Sequence, residues 1–370
     1  MQRRQFIQAG MAVASAVLAG CGFPPRQSPT AVEDERMWRM PDEAARHQRT
    51  WMAFGASAKV WGDELLPAVR RDLAAIAQAI ARFEPVSMLV RPGEMDLARN
   101  LLGPNIELVE TPMDDLWLRD SGPVFVAGSN KAAVNFNFNG WGEKQDYDKD
   151  ARLAAFIAAR TGAELLETDL ILEGGGLEVD GEGTAIITES CVLNNNRNPG
   201  WKKADVEEEL RWLLGIEKVI WLPGIAGYDI TDGHTDFYAR FTTPGVVVAA
   251  LDQDPDSFDH DVTRRHLDIL RAATDARGRR LQVEVLEAPA TVRSQWASED
   301  NEDFAAGYIN FYVCNGAVIV PEFGDPIADR AAATTLARLF PERQIVPVAI
   351  DALAAGGGGI HCATQQEPAL

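Results

Sequence analysis

The 370-residue sequence is short of cysteine, of histidine and of positive charge. It has four cysteines, five histidines, and 35 Lys and Arg residues against 55 Asp and Glu residues. No two cysteines have CxxC spacing, so neither a zinc site nor a disulfide-rich miniprotein is expected. The formal net charge of −20 repels nucleic acid and anionic lipid, and it favours a small cationic ligand.

A hydrophobic run long enough to span a membrane is also missing near the N-terminus, where the apolar stretch suits an export signal. Adjacent Arg3 and Arg4 look like a twin-arginine signal. The segment 1–21 ends at Cys21 in a sequence that resembles a lipoprotein processing site, and the Pro- and Ser-rich residues 22–36 indicate a tether. We therefore expect export to the periplasm, with a lipid anchor on the N-terminal cysteine. A frayed N-terminal helix is the alternative.

No low-complexity break interrupts residues 37–370, so a single domain is predicted. Helical and strand patterns alternate along it, which predicts an α/β fold. Helices are expected at 64–83, 96–102, 150–160, 204–214, 261–276 and 328–339, and strands at 86–90, 106–109, 219–222, 281–286 and 345–350.

Short glycine-rich turns that carry polar groups recur beside the expected strands. Their key positions are roughly 50 to 80 residues apart, a period that suits a supersecondary repeat arranged around an axis. An open α/β sheet with long active-site loops is the alternative. The turns lie around positions 120, 173, 234, 315 and 362.

Cys362 is the sharpest single feature, because it follows four consecutive glycines. Glycine tolerates unusual backbone conformations and lets the backbone approach a ligand closely, as Gly357 would here. A thiol at the end of such a loop is expected to face a pocket and to act as a nucleophile once it loses its proton. Cys191 and Cys314 lie in apolar, strand-like runs, and both are predicted to be buried structural residues.

His234 and Asp236 lie two positions apart, and on a strand they would point into one pocket. A histidine beside carboxylates is suited to proton transfer near neutral pH. His361 is expected to point away from the neighbouring thiol and to be secondary. The remaining histidines are predicted to be structural: His47, His260 and His266.

Asp120 and Glu173 each precede glycine and are expected at the mouth of a pocket. Together with Cys362, His234 and Asp236 they form a set of one nucleophile, one base and three carboxylates. Carboxylates around a thiol repel the negative charge that develops on an acyl substrate. They suit a guanidinium, which is planar, permanently charged and rich in N–H donors.

Seven stretches from about residue 40 onward resemble the agmatine deiminase and bacterial peptidylarginine deiminase family, within the guanidine-modifying penteins. They are WLRDSGP at 117–123, NFNFNGWG at 135–142, EGG at 173–175 with VDGEGT at 179–184, NNNRNP at 194–199, TDGHTD at 231–236, YINFY at 308–312 with FGD at 323–325, and GGGGIHCATQQ at 356–366.

The resemblance implies a fivefold pseudo-symmetric α/β propeller with a central active site. It implies that Cys362 is the nucleophile and His234 the general acid and base. Asp120 and Asp236 would hold the guanidinium nitrogens, and Glu173 would orient the histidine. A covalent Cys thiouronium intermediate follows, and no metal or organic cofactor is needed.

The expected substrate is agmatine, converted to N-carbamoylputrescine and ammonia. The sequence departs from the agmatine deiminases where the far amine is expected to bind: their acidic residue and two asparagines are replaced here by Ile230, Asp232 and Phe237. Trp117 would supply a cation–π contact and Asp232 a carboxylate. Other carboxylates that could replace the missing one are Asp114, Asp115, Glu178 and Asp229.

Peptidylarginine or free arginine is therefore an alternative substrate, and Arg119, Arg197 or Arg240 would then meet its carboxylate. A lipid-tethered guanidine-binding protein without activity and an amidinotransferase are further alternatives. A homo-oligomer is compatible with this sequence.

Overall fold

A computed structural model describes residues 38–296 and 304–369. The predicted signal and tether lie outside the described residues. Residues 37–370 make up one compact unit. Within the described ranges, no helix combines the length and the apolar character that a membrane crossing requires.

The strands form five separate sheets, one with four strands and four with three. The strands are β1 (His47–Phe54), β2 (Val86–Val90), β3 (Glu107–Glu110), β4 (Val124–Ala127), β5 (Lys131–Asn135), β6 (Glu164–Glu167), β7 (Leu177–Val179), β8 (Thr184–Thr188), β9 (Lys218–Leu222), β10 (Ala239–Thr243), β11 (Val246–Leu251), β12 (Gln282–Glu287), β13 (Tyr312–Cys314), β14 (Ala317–Glu322), β15 (Gln344–Ala349) and β16 (Thr364–Pro368).

The helices connect these strands, and all but the short ones at Leu118–Ser121 and Asp351–Ala354 lie between two parallel strands of one sheet. They are α1 (Ala58–Ile80), α2 (Met95–Leu102), α3 (Leu118–Ser121), α4 (Gly140–Glu143), α5 (Leu153–Thr161), α6 (Glu189–Val192), α7 (Lys203–Leu214), α8 (His260–Ala272), α9 (Ala328–Leu339) and α10 (Asp351–Ala354), with 3-10 turns at Asp150–Arg152, Gly174–Gly176 and Thr235–Phe237.

All five sheets share one topology. In each three-stranded sheet the first two strands are antiparallel, and the second and third are parallel. The four-stranded sheet follows the same order, because β16 pairs antiparallel with β1 and β1 pairs parallel with β2. The α/β prediction is confirmed, and five units of one topology are what the predicted propeller requires.

Hydrophobic spacing explains why the long helices form where they do. In α1 the buried residues Val69, Leu73, Ile76 and Ile80 recur every three or four positions, so they form one apolar stripe that packs into the core. The middle strands of the sheets are instead apolar on both faces, as in β14, which helices cover. The predicted helix at 328–339 and strand at 86–90 match the structure to the residue.

Two local expectations are wrong. The helix expected at 261–276 ends at Ala272, because the Asp275 carboxylate accepts backbone N–H bonds from Arg277 and Arg279 and closes a turn. Cys191 lies in the short helix α6 and not in a strand. The turn predicted at position 315 is confirmed: it is the hairpin between β13 and β14, where the Asn315 backbone N–H donates to Glu84.

Candidate active site

Each of the five units contributes one side chain from the same place, the segment just before its first strand. Asp120 precedes β4, Glu173 precedes β7, Asp236 precedes β10, Asn310 precedes β13 and Cys362 precedes β16. All five side chains are buried. The repeat therefore explains how residues far apart in the sequence reach one site.

Three of the predicted site residues, His234, Asp120 and Asp236, pack against the backbone of Gly175. A Cβ atom at this position would lie 2.6 Å from His234 Nδ1, 2.8 Å from Asp120 Oδ1 and 3.1 Å from Asp236 Oδ2. Its backbone N–H also donates to Asp120 Oδ1 at 3.0 Å. The glycine is needed because charged side chains approach the backbone too closely for any larger residue.

His234 is held between two of the carboxylates. Its Nε2 lies 3.3 Å from Glu173 Oε2, and its Nδ1 lies 3.8 Å from Asp120 Oδ1. Burial alone would lower the pKa of His234, but Asp120 and Glu173 outweigh it and raise that pKa well above its ordinary value. The ring is therefore an imidazolium whose Nδ1–H has no hydrogen-bond partner within the described ranges.

His234 and Asp236 were expected on a strand, but they lie at a turn. His234 precedes a 3-10 turn that contains Asp236. Asp232 and Gly233 both have positive φ angles, of 62° and 88°. Two successive residues in that region cannot belong to an extended strand. The turn nevertheless brings His234 and Asp236 to the same site.

Glu173 is held by Arg197. The sequence suggested Arg197 only as a partner for the carboxylate of an arginine substrate. Arg197 Nε donates to both carboxylate oxygens, at 2.8 and 3.0 Å. Burial would raise the pKa of Glu173, but Arg197 and His234 outweigh it and lower the pKa to about 2. Glu173 therefore stays ionised and keeps the histidine in place.

Asp232 binds Arg197, which holds Glu173, and it does not line the active-site cavity. Its Oδ2 accepts from Arg197 at 2.8 Å, from Lys144 at 2.7 Å and from Asn196 at 3.0 Å. The structure thus gives Asp232 a place among the groups that hold Glu173, rather than in the wall of the cavity.

His361 joins Asp236 to a second acid, Glu43, that the sequence analysis missed. Its Nδ1 lies 2.7 Å from Asp236 Oδ2 and its Nε2 lies 2.8 Å from Glu43 Oε2. Glu43 is also paired with Arg119 and Arg240. His361 therefore bridges the two acids, and its ring orients Asp236. Asp236 Oδ1 has no partner among the residues described.

Cys362 lies beside Asp236 and Asn310. Its Sγ is 3.6 Å from Asp236 Oδ2 and 3.3 Å from Asn310 Nδ2. Burial raises the pKa of the Cys362 thiol well above its ordinary value, and the charges of Asp236 and Asp120 raise it further. The neutral thiol is therefore the favoured form of Cys362 in the unliganded site.

The glycine run before Cys362 has a separate reason at each position. Gly357 has a φ of 86°, which suits glycine alone. A Cβ at Gly356 would collide with Trp61, one at Gly358 with Trp117, and one at Gly359 with Asn310. The loop thus packs flat against the residues that surround the thiol.

An active-site cavity of about 190 Å³ opens onto Cys362 and Asp120. Three tryptophans line it, and Trp141 Nε1 donates to Asp120 Oδ2 at 2.9 Å. The predicted Trp117 and Gly357 both lie in its wall. The lining residues are Val60, Trp61, Leu65, Asp115, Trp117, Asp120, Trp141, Gln145, Ile230, Thr231, Phe237, Ala355, Gly356, Gly357, Gly358 and Cys362.

Cys191 is buried as predicted, but it also touches the site. Its Sγ lies 3.5 Å from Glu173 Oε2, and burial raises the pKa of its thiol. Glu173, Cys191 and His234 place possible ligand atoms within 4.8 Å of one another. These separations are hydrogen-bond distances, and Arg197 already engages both Glu173 oxygens, so Cys191 acts here as a neutral S–H neighbour.

The arginines considered as carboxylate partners are all engaged by acids or amides. Arg197 pairs with Glu173, and Arg240 pairs with Glu43 and Glu178. Arg119 Nη1 donates to Gln365 and Gln366, each at 2.7 Å. Five carboxylates were proposed to bind the far amine of the substrate. Of these, Asp115 alone lines the active-site cavity, where it accepts hydrogen bonds from Trp61 and Gln145.

The architecture and the site are those of the guanidine-modifying pentein class. The chain matches the model of the Porphyromonas-type peptidyl-arginine deiminase family over residues 39–368. It is 46% identical over 341 residues to a Streptomyces coelicolor protein assigned as an agmatine deiminase, covering 90% of this chain and 99% of that one. It is 37% identical over 364 residues to the agmatine deiminase of Pseudomonas aeruginosa, covering 92% and 98%.

A solved structure of the agmatine deiminase of Enterococcus faecalis has a TM-score of 0.85 at 33% identity, and covers 90% of this chain and 96% of its own. The chain therefore belongs to the Porphyromonas-type peptidyl-arginine deiminase family, and it is an enzyme of the kind that acts on guanidino groups.

Proposed function

We propose that this protein hydrolyses agmatine to N-carbamoylputrescine and ammonia, with Cys362 as the nucleophile. Two relatives that cover nearly the whole chain are named for this substrate. The observation that carries the proposal is the charge of the cavity beside the thiol. Acids line that cavity, and no Lys or Arg among the described residues does. A carboxylated substrate such as arginine would find no cationic partner there.

The first step is binding of the guanidinium between Asp120 and Asp236. Asp236 Oδ1 is buried without a partner in the part of the chain described here, so it is ready to accept an N–H of the substrate. The incoming positive charge offsets the two carboxylates that keep the Cys362 thiol neutral. The substrate itself therefore lowers the pKa of Cys362. The thiol releases its proton to solvent, and the resulting thiolate attacks the guanidinium carbon.

The second step is loss of ammonia. The tetrahedral adduct carries an amino group that leaves only when it is protonated. His234 is an imidazolium with a free Nδ1–H, so it donates that proton. The C–N bond breaks, ammonia departs and a thiouronium on Cys362 remains.

The third step is hydrolysis of the thiouronium. His234 is now neutral and takes a proton from water as the water attacks the same carbon. The C–S bond breaks, the Cys362 thiolate leaves, and the proton of the new hydroxyl group returns through solvent to the sulfur. The ureido product is then released and the neutral thiol is restored. The carboxylates of Asp120, Asp236 and Glu173 stabilise the cationic intermediate throughout.

The test measures ammonia and product mass from agmatine, free arginine and a peptide with C-terminal arginine. We expect ureido product chiefly from agmatine, and none when Cys362→Ala replaces the thiol. The control is Cys314→Ala, which removes a buried thiol away from the site. Undiminished turnover by Cys362→Ala would eliminate the mechanism, and preferred turnover of arginine or the peptide would eliminate the substrate assignment.

We also propose that the protein is exported through the twin-arginine route and tethered by lipid on Cys21. The support is the N-terminal sequence described above. Cell fractionation should find the chain in the envelope, and Arg3→Lys combined with Arg4→Lys should keep it in the cytoplasm. Cys21→Ala should release exported protein from the membrane, and unchanged membrane association of that variant would contradict the anchor.

A further inference from the structure

A second cavity of about 370 Å³ adjoins the active-site cavity. The two cavities share Ile230, Thr231, Phe237, Gly356 and Gly357 in their walls, and the second one also reaches His234. Its volume lies in the range of about 300 to 1,000 Å³ that holds drug-sized ligands. Agmatine is a short chain, so this space exceeds what that substrate fills.

Aromatic rings form the mouth of this second cavity, which we call the aromatic cavity. Tyr228 and Phe258 stack with ring centroids 4.7 Å apart and planes 15° apart. Their exposed fractions are 62% and 41%, so two large apolar surfaces face water side by side. Tyr238 and Phe304 continue the wall inward. Exposed apolar clusters of this kind mark ligand-binding surfaces.

Three carboxylates line the aromatic cavity, and each accepts a hydrogen bond from the protein; Asp252 Oδ1 accepts from the Asp254 backbone N–H at 2.9 Å. Asp229 Oδ1 accepts from the Thr231 backbone N–H at 2.6 Å, and its Oδ2 accepts from the Gly233 N–H at 3.1 Å. Asp259 Oδ1 accepts from the Tyr238 hydroxyl at 2.9 Å. No Lys or Arg of the described ranges lines the cavity. A ligand there meets rings and engaged acids, so an anionic tail is excluded and a neutral aromatic one fits.

The passage between the two cavities also lacks a charged group that could bind the end of a substrate. None of the five shared residues carries a charge. Ile230 and Phe237 line this passage and offer a free ammonium group no charged partner. An amide at the same position is neutral, and it continues the chain toward the rings.

We propose that the aromatic cavity binds an aromatic acyl group on the far nitrogen of the substrate, so that the enzyme acts on aromatic amides of agmatine. This inference rests on the proposed deimination at Cys362. The chemistry at the guanidinium is unchanged: water adds, ammonia leaves, and the amide bond stays intact. The stacked pair Tyr228 and Phe258 meets the aryl ring.

The experiment compares kcat and KM for agmatine and for benzoylagmatine. We expect a KM for benzoylagmatine about tenfold lower than that for agmatine. This ratio corresponds to one aromatic contact of about 1.4 kcal/mol. Tyr228→Ala combined with Phe258→Ala should raise the KM for benzoylagmatine about tenfold and leave agmatine within twofold. Trp212→Ala, which removes a ring that is 64% exposed on α7, is the control and should change neither.

The outcomes separate the two proposals. Turnover of agmatine with poor use of benzoylagmatine, or equal effects of the double variant on both substrates, would overturn the aromatic subsite and leave the proposed function standing. Turnover of neither compound by the unaltered enzyme would overturn the proposed function itself.

Discussion

At the scale of single residues, three charged side chains approach the backbone of Gly175 closely. A methyl group there would lie within 3.1 Å of His234, Asp120 and Asp236, closer than packed atoms come. The substitution must therefore push apart the groups that bind and protonate the substrate. Displacement of a reacting group by about 1 Å can lower the rate about 100-fold.

We accordingly expect Gly175→Ala to lower kcat for agmatine by about 100-fold while the protein stays folded. Steady-state kinetics and circular dichroism would measure the two quantities. Gly200→Ala is the matched control for a glycine with open space around it. Its φ of 84° predicts a stability loss of about 1 kcal/mol without a loss of kcat. A kcat of Gly175→Ala within a few-fold of the unaltered enzyme would refute the close-packing argument.

Asn310 holds the nucleophile in place. Its side-chain N–H donates to Cys362 Sγ, and its Oδ1 accepts from the His361 backbone N–H at 2.9 Å. Asn310→Ala removes both contacts, so we expect kcat to fall by about 10- to 100-fold with a smaller change in KM. The reaction rate of Cys362 with an alkylating agent offers a second readout, and a rate equal to that of the unaltered protein would argue against positioning.

The sequence could identify Cys362 because four glycines before a thiol are rare and have a physical explanation. It could suggest Asp120, Glu173, His234 and Asp236 because acids and a histidine in glycine-containing turns suit a guanidinium, and the fold brings these four residues together. Asn310 lay within a stretch that resembles the family, yet an amide carries no charge and suggests no reaction by itself. Its role appears only when the fold places it beside the sulfur.

At the scale of elements, the segment before β1 carries Glu43 into the centre of the molecule. Burial would raise the pKa of Glu43, but Arg240, His361 and Arg119 outweigh it and lower the pKa well below 4.5. Because the folded state favours the ionised form, this stabilisation is complete above about pH 4.5. It is lost as the pH falls through the folded-state pKa.

Glu43→Gln should therefore lower the free energy of unfolding by about 3 to 5 kcal/mol at pH 7, since it leaves buried cations without their partner. The deficit relative to the unaltered protein should shrink at pH 4 and below. Urea unfolding at both pH values measures it. Glu284→Gln, which breaks the exposed pair with Arg338, is the control and should cost less than about 1 kcal/mol. Equal losses for the two variants would contradict the buried network.

Hydrophobic spacing predicted the long helices, because each has one apolar face, and it predicted β2, β3, β9, β12 and β15. It did not predict the apolar strands β1, β5, β8, β11 and β14, because periodicity does not distinguish a short apolar strand from a buried helical segment. It did not predict β16, whose sequence TQQEP is polar although every residue is buried. That strand is stabilised by side-chain partners, such as Arg119 for Gln365 and Trp51 for Glu367. Such contacts join distant segments, so no local pattern reveals them.

At the scale of the whole molecule, the net charge of −20 creates a field that attracts cations. Agmatine carries two positive charges and benzoylagmatine one. We expect kcat/KM for agmatine to fall on the order of tenfold as the ionic strength rises from about 0.01 to 0.5 M. The fall for benzoylagmatine should be smaller. A rate that does not depend on salt would show that the acidic surface does not guide the substrate.

The pairing of β16 with β1 joins the last described element to the first, and Cys362 immediately precedes that strand. During synthesis on the ribosome, the acids, the histidine and the amide all emerge before the sulfur does. A growing chain can thus acquire the groups that attract a guanidine well before it can modify one. With Cys362 as the proposed nucleophile, deimination would begin only once this strand is inserted, so the order of translation would keep incomplete chains inactive.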